Sequence, residues 1–408
     1  MDRLHGKRIV LGVCGSIAAY KVAQLARNLA LAGALVDVIL TEAAERFVGA
    51  ATFQALTGRP VLTDLWVLPE DGVVGHVSLG AHADAVVVAP ATANTIARVA
   101  AGLCDDLLTT TLLVTTAPVL FAPAMNPQML ASPATQANLA TLRARGYTLL
   151  EPGEGRMAEH VSGKGRLPEP EQLEGELRAL LGRASGPLRG RRVVVSAGGT
   201  REPIDPVRYL GNRSSGQMGY ALAAQARDLG ADVRLVSGPV ALAPPAAVQT
   251  TQVETALQMQ AALHAACQGA DILIMNAAVA DFRPTTAADH KLKKGPNTTG
   301  LTVELVTNPD IIAGMADRHE LFKVGFAAET DDLLANAQGK LERKGLDLIV
   351  ANDAVASIGQ PEIALTLIDR VGISSIARRP KPEAAAALLD AIIARYEAWR
   401  APSGPAHT

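Results

Sequence analysis

A polar stretch in the middle of the chain, Ser196–Gly219, combines charged and amide side chains with glycines in a pattern that suits phosphate binding. The apolar run Val193–Val195 before it predicts a buried strand, and the run Tyr220–Gly230 after it predicts an amphipathic helix. A loop between a strand and a helix presents backbone N–H groups and a helix N-terminus to an anion. Long loops without secondary structure are uncommon in compact domains and usually have a function. The polar side chains of this stretch are Arg201, Glu202, Asp205, Arg208, Asn212, Arg213, Ser214 and Ser215.

The composition of the whole chain argues against several classes of protein. Its 408 residues predict two or three domains. A formal net charge of −2 and an aromatic content of 3% argue against a nucleic-acid partner. The N-terminus lacks the apolar core of a signal peptide, and no apolar run is long enough to span a bilayer. We therefore expect a cytoplasmic protein that acts on small molecules and has no membrane partner.

The first half begins with a strand–helix–strand unit of the doubly wound type. Arg8–Val13 and Leu35–Leu40 predict buried parallel strands on either side of a helix. The glycines after the first strand do not form the fingerprint of dinucleotide-binding proteins. The second strand ends at Thr41, where those proteins have an acid for the ribose. Flavin mononucleotide (FMN), which has no adenosine ribose, fits this pattern better than a dinucleotide.

Two later strands of the first half lead into polar residues. Ala85–Ala89 precedes Thr92, Asn94 and Thr95, and Pro118–Ala122 precedes Asn126. Ligands of open α/β sheets bind at the carboxyl ends of the strands, so these residues are candidates for a site. Asn126 has a simpler alternative role as the cap of the next helix. His76, at the start of a short predicted helix, has the alternative role of a solvated histidine.

Several motifs of this half occur together and in order: CGSIAAYK, the Gly75–His76 pair, APATANTIARVAAGLCDDLL and PAMNPQM. With them the first half resembles the homo-oligomeric flavin-containing cysteine decarboxylases. The resemblance implies a flavodoxin-like domain with FMN bound between subunits, and it implies that His76 and Asn126 act on the substrate. Our candidates for the flavin site are Ser16, Ile17, Thr41, Thr92 and Asn94.

A glycine-punctuated segment, Gly155–Pro170, is similar to the flap that closes over the substrate in that family. Aligned on Gly163–Arg166, the cysteine of the family falls at Glu159, with His160 beside it. Two interpretations follow. Either Glu159, His160 or water supplies the last proton of the reaction, or the first half is impaired and serves as a flavin-binding oligomerisation scaffold beside an active ligase.

A segment rich in Gly, Pro and Arg, 182–192, predicts a linker between two domains. The domains would span 1–181 and 193–400, with a tail at 401–408. In the second half, Lys340 and Lys344 lie one helical turn apart. Together with Lys291 they would form either a solvated basic face or a cluster that neutralises a triphosphate.

The stretch Ser196–Gly219, AAVADFRP, the LKK segment, NPDI and GFAAET resemble the phosphopantothenate–cysteine ligase domain. The order of the two halves is similar to that of the bifunctional bacterial enzymes of coenzyme A synthesis. The fold class is then α/β, with two doubly wound Rossmann-like domains, one a flavodoxin-like flavoprotein domain and the other a ligase domain. An oxidoreductase with two NAD(P)-binding halves is a competing interpretation that lacks both the glycine fingerprint and the acid.

The resemblance implies that CTP drives the ligation of 4'-phosphopantothenate with cysteine through an acyl-cytidylate. FMN-dependent decarboxylation to 4'-phosphopantetheine would follow. Asn212 would bind the acyl-cytidylate, Asp281 is a candidate ligand of Mg²⁺, and Lys291 would meet the triphosphate. A homo-oligomer such as a dodecamer is also implied. The other residues expected at the nucleotide are Ala277, Pro309, Asp310, Ile311, Ile312, Phe326, Lys340 and Lys344.

Overall fold

The computed structural model describes residues 2–67, 75–157, 161–294, 300–329, 339–353 and 359–401. The chain divides into two compact units, Met1–Ala184 and Ser185–Thr408. Among the described residues, none of the helices has the length and apolar character needed to cross a membrane. Each unit is built around its own mainly parallel sheet.

The first unit alternates strands and helices along the chain. Its strands are β1 (Arg8–Val13), β2 (Leu35–Leu40), β3 (Val61–Leu62), β4 (Ala85–Ala91), β5 (Val119–Pro123), β6 (Thr148–Leu149), β7 (Gly153–Arg156) and β8 (Ser162–Arg166). Its helices are α1 (Ala19–Leu31), α2 (Glu42–Glu45), α3 (Ala50–Thr57), α4 (Gly75–His82), α5 (Ala93–Ala101), α6 (Leu107–Val114), α7 (Pro127–Ala131), α8 (Pro133–Ala144) and α9 (Pro170–Ser185).

The main sheet of the first unit has the strand order β3-β2-β1-β4-β5-β6, and all its pairings are parallel. Without the two-residue edge strand β3, this is the flavodoxin-like order. Apolar clusters cover both faces. Leu11 of β1 packs in the same cluster as Leu25 of α1, and Val10 packs in the same cluster as Leu108 of α6. Burial on both faces explains why the central strands read as continuous apolar runs.

The second unit also alternates strands and helices. Its strands are β9 (Arg192–Ala197), β10 (Arg201–Pro203), β11 (Tyr209–Gly211), β12 (Asp232–Ser237), β13 (Gln249–Gln252), β14 (Ile272–Met275), β15 (Phe282–Pro284), β16 (Leu305–Thr307), β17 (Phe322–Glu329), β18 (Leu348–Asp353), β19 (Glu362–Ile368) and β20 (Ile373–Pro380). Its helical segments are α10 (Gln217–Asp228), α11 (Ala256–Ala266), the 3₁₀ turn Ala313–Met315 and α12 (Lys381–Arg400).

The main sheet of the second unit has the order β13-β12-β9-β14-β17-β18-β19-β20. The strands from β13 to β18 pair in parallel, and β19 and β20 extend the sheet in antiparallel fashion. The parallel part has the strand order of dinucleotide-binding folds. The predicted fold class, two doubly wound α/β domains, is therefore confirmed.

The boundary region differs from the predicted linker at 182–192. Helix α9 continues to Ser185, because its buried stripe extends to Gly182. Leu188 is 1% exposed and belongs to the core of the second unit, where its N–H donates to the Leu229 carbonyl. Gly186 and Pro187, which lie between these two points, belong to no helix or strand.

The polar stretch after β9 is more ordered than a long loop. Strands β10 and β11 pair as an antiparallel hairpin inside it. The Asp205 carboxylate accepts the N–H groups of Val207 and Arg208, both at 2.8 Å, and so closes the turn of this hairpin. The NPDI motif leads into a short helical segment, the 3₁₀ turn Ala313–Met315. Gly314 in that turn has a low helix propensity.

Gly219 marks the closest approach between α10 and β9. A Cβ atom at this position would lie 2.5 Å from the Ala197 Cβ and 3.0 Å from the Asn276 Oδ1. We expect Gly219→Ala to destabilise the fold by about 1–3 kcal/mol, because the helix must move away from the strand. Urea unfolding followed by circular dichroism measures the change. Gly314→Ala is the matched control, since a Cβ there meets nothing within 4 Å. Equal unfolding midpoints for both variants would contradict the packing argument.

Candidate active sites

The polar residues singled out in the first half follow the carboxyl ends of four neighbouring strands. The strand order reverses between β1 and β4, and ligands of open α/β sheets bind at such a reversal. The residues are Ser16 and Ile17 after β1, Thr41 after β2, Thr92 and Asn94 after β4, and Asn126 after β5.

Backbone hydrogen bonds join these strand ends into one continuous edge. The Thr41 N–H donates to the Val13 carbonyl at 3.1 Å, which ties the end of β2 to that of β1. The Ala124 N–H donates to the Ala91 carbonyl at 3.1 Å, which ties the end of β5 to that of β4. The structure therefore brings the flavin-site candidates to one edge of the first sheet.

Two of the site residues also cap helices. The Thr92 hydroxyl accepts the Thr95 N–H at 3.3 Å at the start of α5. The Asn126 Oδ1 accepts the Gln128 N–H at 2.9 Å at the start of α7. Asn126 therefore does cap α7. The capping bond also holds its amide at the strand end, where a role in substrate binding would need it.

The predicted flap begins and ends in an antiparallel hairpin of β7 and β8. Gly165 of β8 has φ +153°, and a Cβ there would collide with the Met125 carbonyl oxygen. The Met125 N–H donates to the Gly165 carbonyl at 3.1 Å. Strand β8 therefore lies directly on the loop that carries Asn126. Glu159 and His160, between the two strands in sequence, lie outside the described residues.

The Cys14 thiol at this edge is not poised as a nucleophile. It is buried, and burial raises its pKa to about 11, although hydrogen bonds with Thr95 and Thr92 act in the opposite direction. The thiol is consequently protonated at neutral pH. It fills space beneath the strand ends like a small apolar side chain.

The second unit contains a cleft of about 650 Å³. Residues 212–218, 275–282, 307–312 and 325–327 form most of its wall. These segments lie around the carboxyl ends of β9, β14 and β17, where the order of the sheet predicts a ligand site. The predicted residues on the cleft are Asn212, Ala277, Asp281, Pro309, Asp310, Ile311, Ile312, Phe326, Lys340 and Lys344.

Side-chain hydroxyls fix the loop after β14 to the loop after β9. The Ala277 N–H donates to the Ser196 Oγ at 3.0 Å, and the Ala280 N–H donates to the Thr200 Oγ1 at 3.0 Å. The N–H of Ala277 is therefore engaged within the protein. A contact from Ala277 to a ligand would have to use its carbonyl or its methyl group.

Asn212 and Asp281 both line this part of the cleft. The Asn212 Nδ2 donates to the Val279 carbonyl at 3.0 Å, which fixes the amide plane above the loop that leads to Asp281. The second N–H of an amide can still donate to a ligand. The Asn308 N–H donates to the Asp281 carbonyl at 2.8 Å, so Asp281 also anchors the neighbouring segment.

Two lysines and an aspartate line another part of the cleft. Lys344 pairs with Asp310 at 3.0 Å, and the same carboxylate accepts the Ala313 N–H at 3.2 Å. Lys340 also lines the cleft. The side chains of Ile311 and Ile312 belong to the core, so only their backbone is suited to contact a ligand.

Lys381 is a cleft residue that the sequence did not point to. It is 7% exposed at the start of α12, and its Nζ is 3.4 Å from the Gln217 Oε1. Burial lowers the pKa of this lysine. It lies more than 160 residues after the polar stretch at 196–219, so only the closing of α12 onto α10 reveals that they share a site.

Lys291 is the one predicted nucleotide residue that does not line the cleft. It is exposed. The residue after it, Leu292, is bound through its backbone to Asp205 and Arg208. The segment with Lys291 therefore rests on the β10–β11 turn, and no described contact draws its side chain to the cleft wall. Within the described residues, no group of three or more His, Cys, Asp or Glu side chains is placed to hold a metal ion.

Comparisons with known proteins match both units. Residues 2–182 match a family model described as Flavoprotein, and residues 188–396 match the DNA/pantothenate metabolism flavoprotein C-terminal domain. The coenzyme A biosynthesis bifunctional protein CoaBC of Vibrio cholerae is 47% identical over 398 residues, which cover 96% of this chain and 99% of that protein. The protein of the same name from Mycobacterium tuberculosis is 51% identical over 361 residues, covering 85% and 86%.

The chain belongs to the coenzyme A biosynthesis bifunctional protein family. The family resemblance seen in the sequence is therefore confirmed over both halves. A crystal structure of the C-terminal domain of such a bifunctional protein is 38% identical, covers 52% of this chain and 100% of its own, and has a TM-score of 0.46. An FMN-dependent cysteine decarboxylase structure is 35% identical, covers 40% and 91%, and has a TM-score of 0.36.

The buried polar atoms of the first unit indicate independently that this unit can hold a flavin. Four buried side-chain polar atoms in the described part of the chain have no hydrogen-bond partner: Thr41 Oγ1 and His76 Nδ1 in the first unit, and Arg234 Nε and His264 Nε2 in the second. Buried polar atoms in native proteins are nearly always paired, so each exception needs an explanation. The two atoms of the first unit belong to residues predicted for the flavoprotein site. A bound group with polar atoms at this edge would satisfy them.

The Thr41 hydroxyl gives a direct test of that explanation. Thr41→Val keeps the side-chain shape and removes the unpaired oxygen. We expect the purified variant to retain less FMN, whereas the flavin-free protein is at least as stable as before because no hydrogen bond is lost. Flavin released by heat is identified and quantified by chromatography, and thermal unfolding is measured on the flavin-free protein.

Thr141→Val is the matched control, because the Thr141 hydroxyl already donates to the Ala137 carbonyl on an exposed helix. Full flavin retention by Thr41→Val would show that this hydroxyl does not serve the cofactor. Release of a dinucleotide in place of FMN would contradict the flavin assignment itself.

Proposed function

We propose that the chain performs two successive reactions of coenzyme A synthesis. The second unit joins 4'-phosphopantothenate to cysteine with CTP, and the first unit decarboxylates the product to 4'-phosphopantetheine. The ligase assignment rests on one observation. Asn212, Asp281, Lys340 and Lys344 line one cleft at the carboxyl edge of a doubly wound sheet. Curated relatives that span both units have the bifunctional name, so the scaffold interpretation of the first unit is not favoured.

Ligation must first activate a carboxylate, because a carboxylate does not condense with an amine unaided. A carboxylate oxygen of phosphopantothenate attacks the α-phosphorus of CTP, the acyl-cytidylate forms and pyrophosphate leaves. The cysteine amine then attacks the acyl carbon, CMP leaves, and the amine loses a proton. Such steps depend mainly on positioning and on neutralising phosphate charge.

The lysines of the cleft suit that neutralisation. Lys340 and Lys344 would meet the triphosphate, with Lys291 contributing from the segment that rests on the β10–β11 turn. Asp310 holds the Lys344 ammonium in place before the nucleotide arrives. Because this pair is partly exposed, exchanging the carboxylate for a phosphate costs little. Pro309, Ile311, Ile312 and Phe326 would form the wall against the nucleoside.

Magnesium would enter this cleft with the nucleotide. Mg²⁺ in nucleotide sites is commonly held by one or two carboxylates together with phosphate oxygens and water. Asp281 provides a carboxylate on the cleft wall. We propose Asp281 as that ligand, with the remaining positions filled by the triphosphate and water.

Asn212 is placed to serve the second half of the ligation. Its amide is held by the Val279 carbonyl, so the remaining N–H has a defined direction over the cleft. We propose that it donates to the acyl-cytidylate and keeps the acyl carbon in position for the cysteine amine. This role needs no change in the charge or protonation of Asn212.

In the first unit, Ser16, Ile17, Thr41, Thr92 and Asn94 would hold FMN at the carboxyl edge of the sheet. FMN bound there would supply the oxidation of the substrate's cysteine side chain that allows carbon dioxide to leave, and the reduction afterwards. His76 would move protons, since histidine is the side chain that most often serves as a general acid or base. Asn126, held by its capping bond, would orient the substrate carboxylate.

The remaining proposals concern the assembly and its surroundings. Ile17 and Tyr20 beside the flavin edge are both 61% exposed, which is unusual for large apolar side chains at a ligand site. A homo-oligomer such as a dodecamer would cover them. We place the protein in the cytoplasm with phosphopantothenate, cysteine and CTP as its partners.

The proposed function is tested by mass spectrometry of the products formed from 4'-phosphopantothenate, cysteine and CTP. Formation of 4'-phosphopantetheine, CMP, pyrophosphate and carbon dioxide is expected. A ligated product that keeps its carboxylate would show that the first unit is not a competent decarboxylase. CTP that remains intact with all substrates present would overturn the ligase assignment.

Asn212→Ala separates the two halves of the ligation. We expect the variant to release pyrophosphate from CTP and phosphopantothenate but to form little ligated product, because the acyl-cytidylate is no longer oriented. Pyrophosphate release and product masses are measured on the same samples. Gln252→Ala, an exposed amide on the edge strand β13, is the control and should behave like the parent. Ligated product at the parent rate in Asn212→Ala would rule out the role.

Glu159→Gln tests the proton donor of the decarboxylation. A carboxyl group in water is ionised at neutral pH, so a glutamate can donate a proton here only where its surroundings disfavour the charged form. We expect the variant to accumulate a product two hydrogens lighter than 4'-phosphopantetheine, since a general acid contributes about 10²–10⁴-fold. Glu154→Gln on β7 is the control on the same hairpin. Normal turnover by both Glu159→Gln and His160→Ala would identify water as the donor.

A further inference from the structure

The carboxylate of Asp205 stands out among the acids of the second unit because it is buried and each of its oxygens has a separate task. Asp205 is 3% exposed and lies in the turn between β10 and β11. Its Oδ1 accepts the N–H groups of Val207 and Arg208, both at 2.8 Å. These bonds are local and account for the turn alone.

The other oxygen reaches a distant part of the chain. The Asp205 Oδ2 accepts the Leu292 N–H at 3.1 Å and the Arg208 Nε at 3.0 Å. The Arg208 Nη2 then donates to the Leu292 carbonyl at 2.7 Å. The acid and the guanidinium together bind both polar groups of one residue. A further bond, from the Ala288 N–H to the Ile204 carbonyl at 3.0 Å, holds the same segment to the same turn.

The charge state favours a permanent anchor. The Arg208 guanidinium holds the pKa of Asp205 well below its usual range, so the carboxylate is ionised at every pH near neutrality. Hydrogen bonds to an ionised acceptor are stronger than neutral ones. Residues 291–294 are exposed and belong to no helix or strand. Within the described residues, the bonds from Asp205 and Arg208 to Leu292 are what fixes their backbone.

We propose that Asp205 is a positioning residue for Lys291. This inference rests on the proposed role of Lys291 in binding the CTP triphosphate. Lys291 directly precedes the anchored Leu292, so fixing that backbone limits the volume that the lysine ammonium can search. A lysine whose backbone is already fixed loses less conformational entropy when CTP binds.

The two tasks of the carboxylate can be separated by one substitution. Asp205→Asn keeps an acceptor oxygen for the turn, and it replaces the second oxygen by an N–H₂ group that faces the Arg208 and Leu292 donors. The turn should therefore form while the anchor is lost. Leu292→Pro removes the same bond from the other side without touching the hairpin, and it serves as the second variant should Asp205→Asn fail to fold.

The experiment compares Asp205→Asn, Lys291→Gln, the double variant and Asp232→Asn in the full chain. Asp232 pairs with Arg192 at 2.7 Å at the start of β12 and is the matched acid control. The KM for CTP and kcat of the ligation are measured at saturating phosphopantothenate and cysteine. Trypsin cleavage after Lys291, Lys293 and Lys294 is followed in the protein without nucleotide.

We expect Lys291→Gln and Asp205→Asn each to raise the KM for CTP about ten-fold or more, the loss typical of one charge-assisted hydrogen bond. The double variant should be no worse than the more affected single variant, because both remove the same contact. Asp205→Asn should also speed trypsin cleavage at these lysines, whereas Asp232→Asn should change neither readout.

The outcomes separate this inference from the proposed function. If Lys291→Gln raises the KM but Asp205→Asn changes neither the KM nor the trypsin cleavage, the positioning role is wrong and the nucleotide role of Lys291 stands. Multiplying effects in the double variant would also overturn the positioning role. If Lys291→Gln itself leaves CTP kinetics unchanged, the nucleotide role of Lys291 falls and the inference with it.

Discussion

Parallel pairing of strands that are buried on both faces is the constraint on which both units depend. Helices cover each face of the sheet. Between two parallel strands the chain must therefore return to the end of the sheet at which the first strand began. All loops that follow the strands therefore meet at one edge. In the first unit this edge holds Thr41, Thr92 and Asn126, and in the second it holds the cleft with Asn212 and Asp281. Residues that are far apart in sequence therefore lie in one site because the topology of the sheet places them there.

The edge of each sheet is then made rigid by bonds that use little charge. In the second unit, the hydroxyls of Ser196 and Thr200 accept backbone N–H groups from the loop after β14. In the first, backbone bonds join neighbouring strand ends, and Gly165 lets the flap strand lie against the Met125 carbonyl. Charged groups are thereby left for other tasks. Positioning of this kind is what phosphoryl and acyl transfer mainly require.

The unpaired buried polar atoms of the first unit belong to residues for which we propose a role in its chemistry. Thr41 Oγ1 and His76 Nδ1 are buried without hydrogen-bond partners in the described residues. A folded chain gains nothing from such groups by itself, because desolvation without a partner costs free energy. Their presence at the edge of the first sheet agrees with a site that is completed by a bound molecule.

The sequence by itself determined the fold class and the two-part organisation, and it supplied most of the residues that we propose for the second site, because apolar strands, glycine turns and polar strand ends are local signals. It did not reveal Lys381, since nothing near that lysine in sequence resembles a site and only the packing of α12 against α10 brings it to the cleft. It treated 196–219 as a long loop and 182–192 as a linker. In the folded chain, residues 196–219 contain the β10–β11 hairpin. Part of 182–192 belongs to α9, and Leu188 belongs to the core of the second unit. The two functions of the Asp205 carboxylate likewise exist only in the folded chain, because its partner Leu292 is 87 residues away.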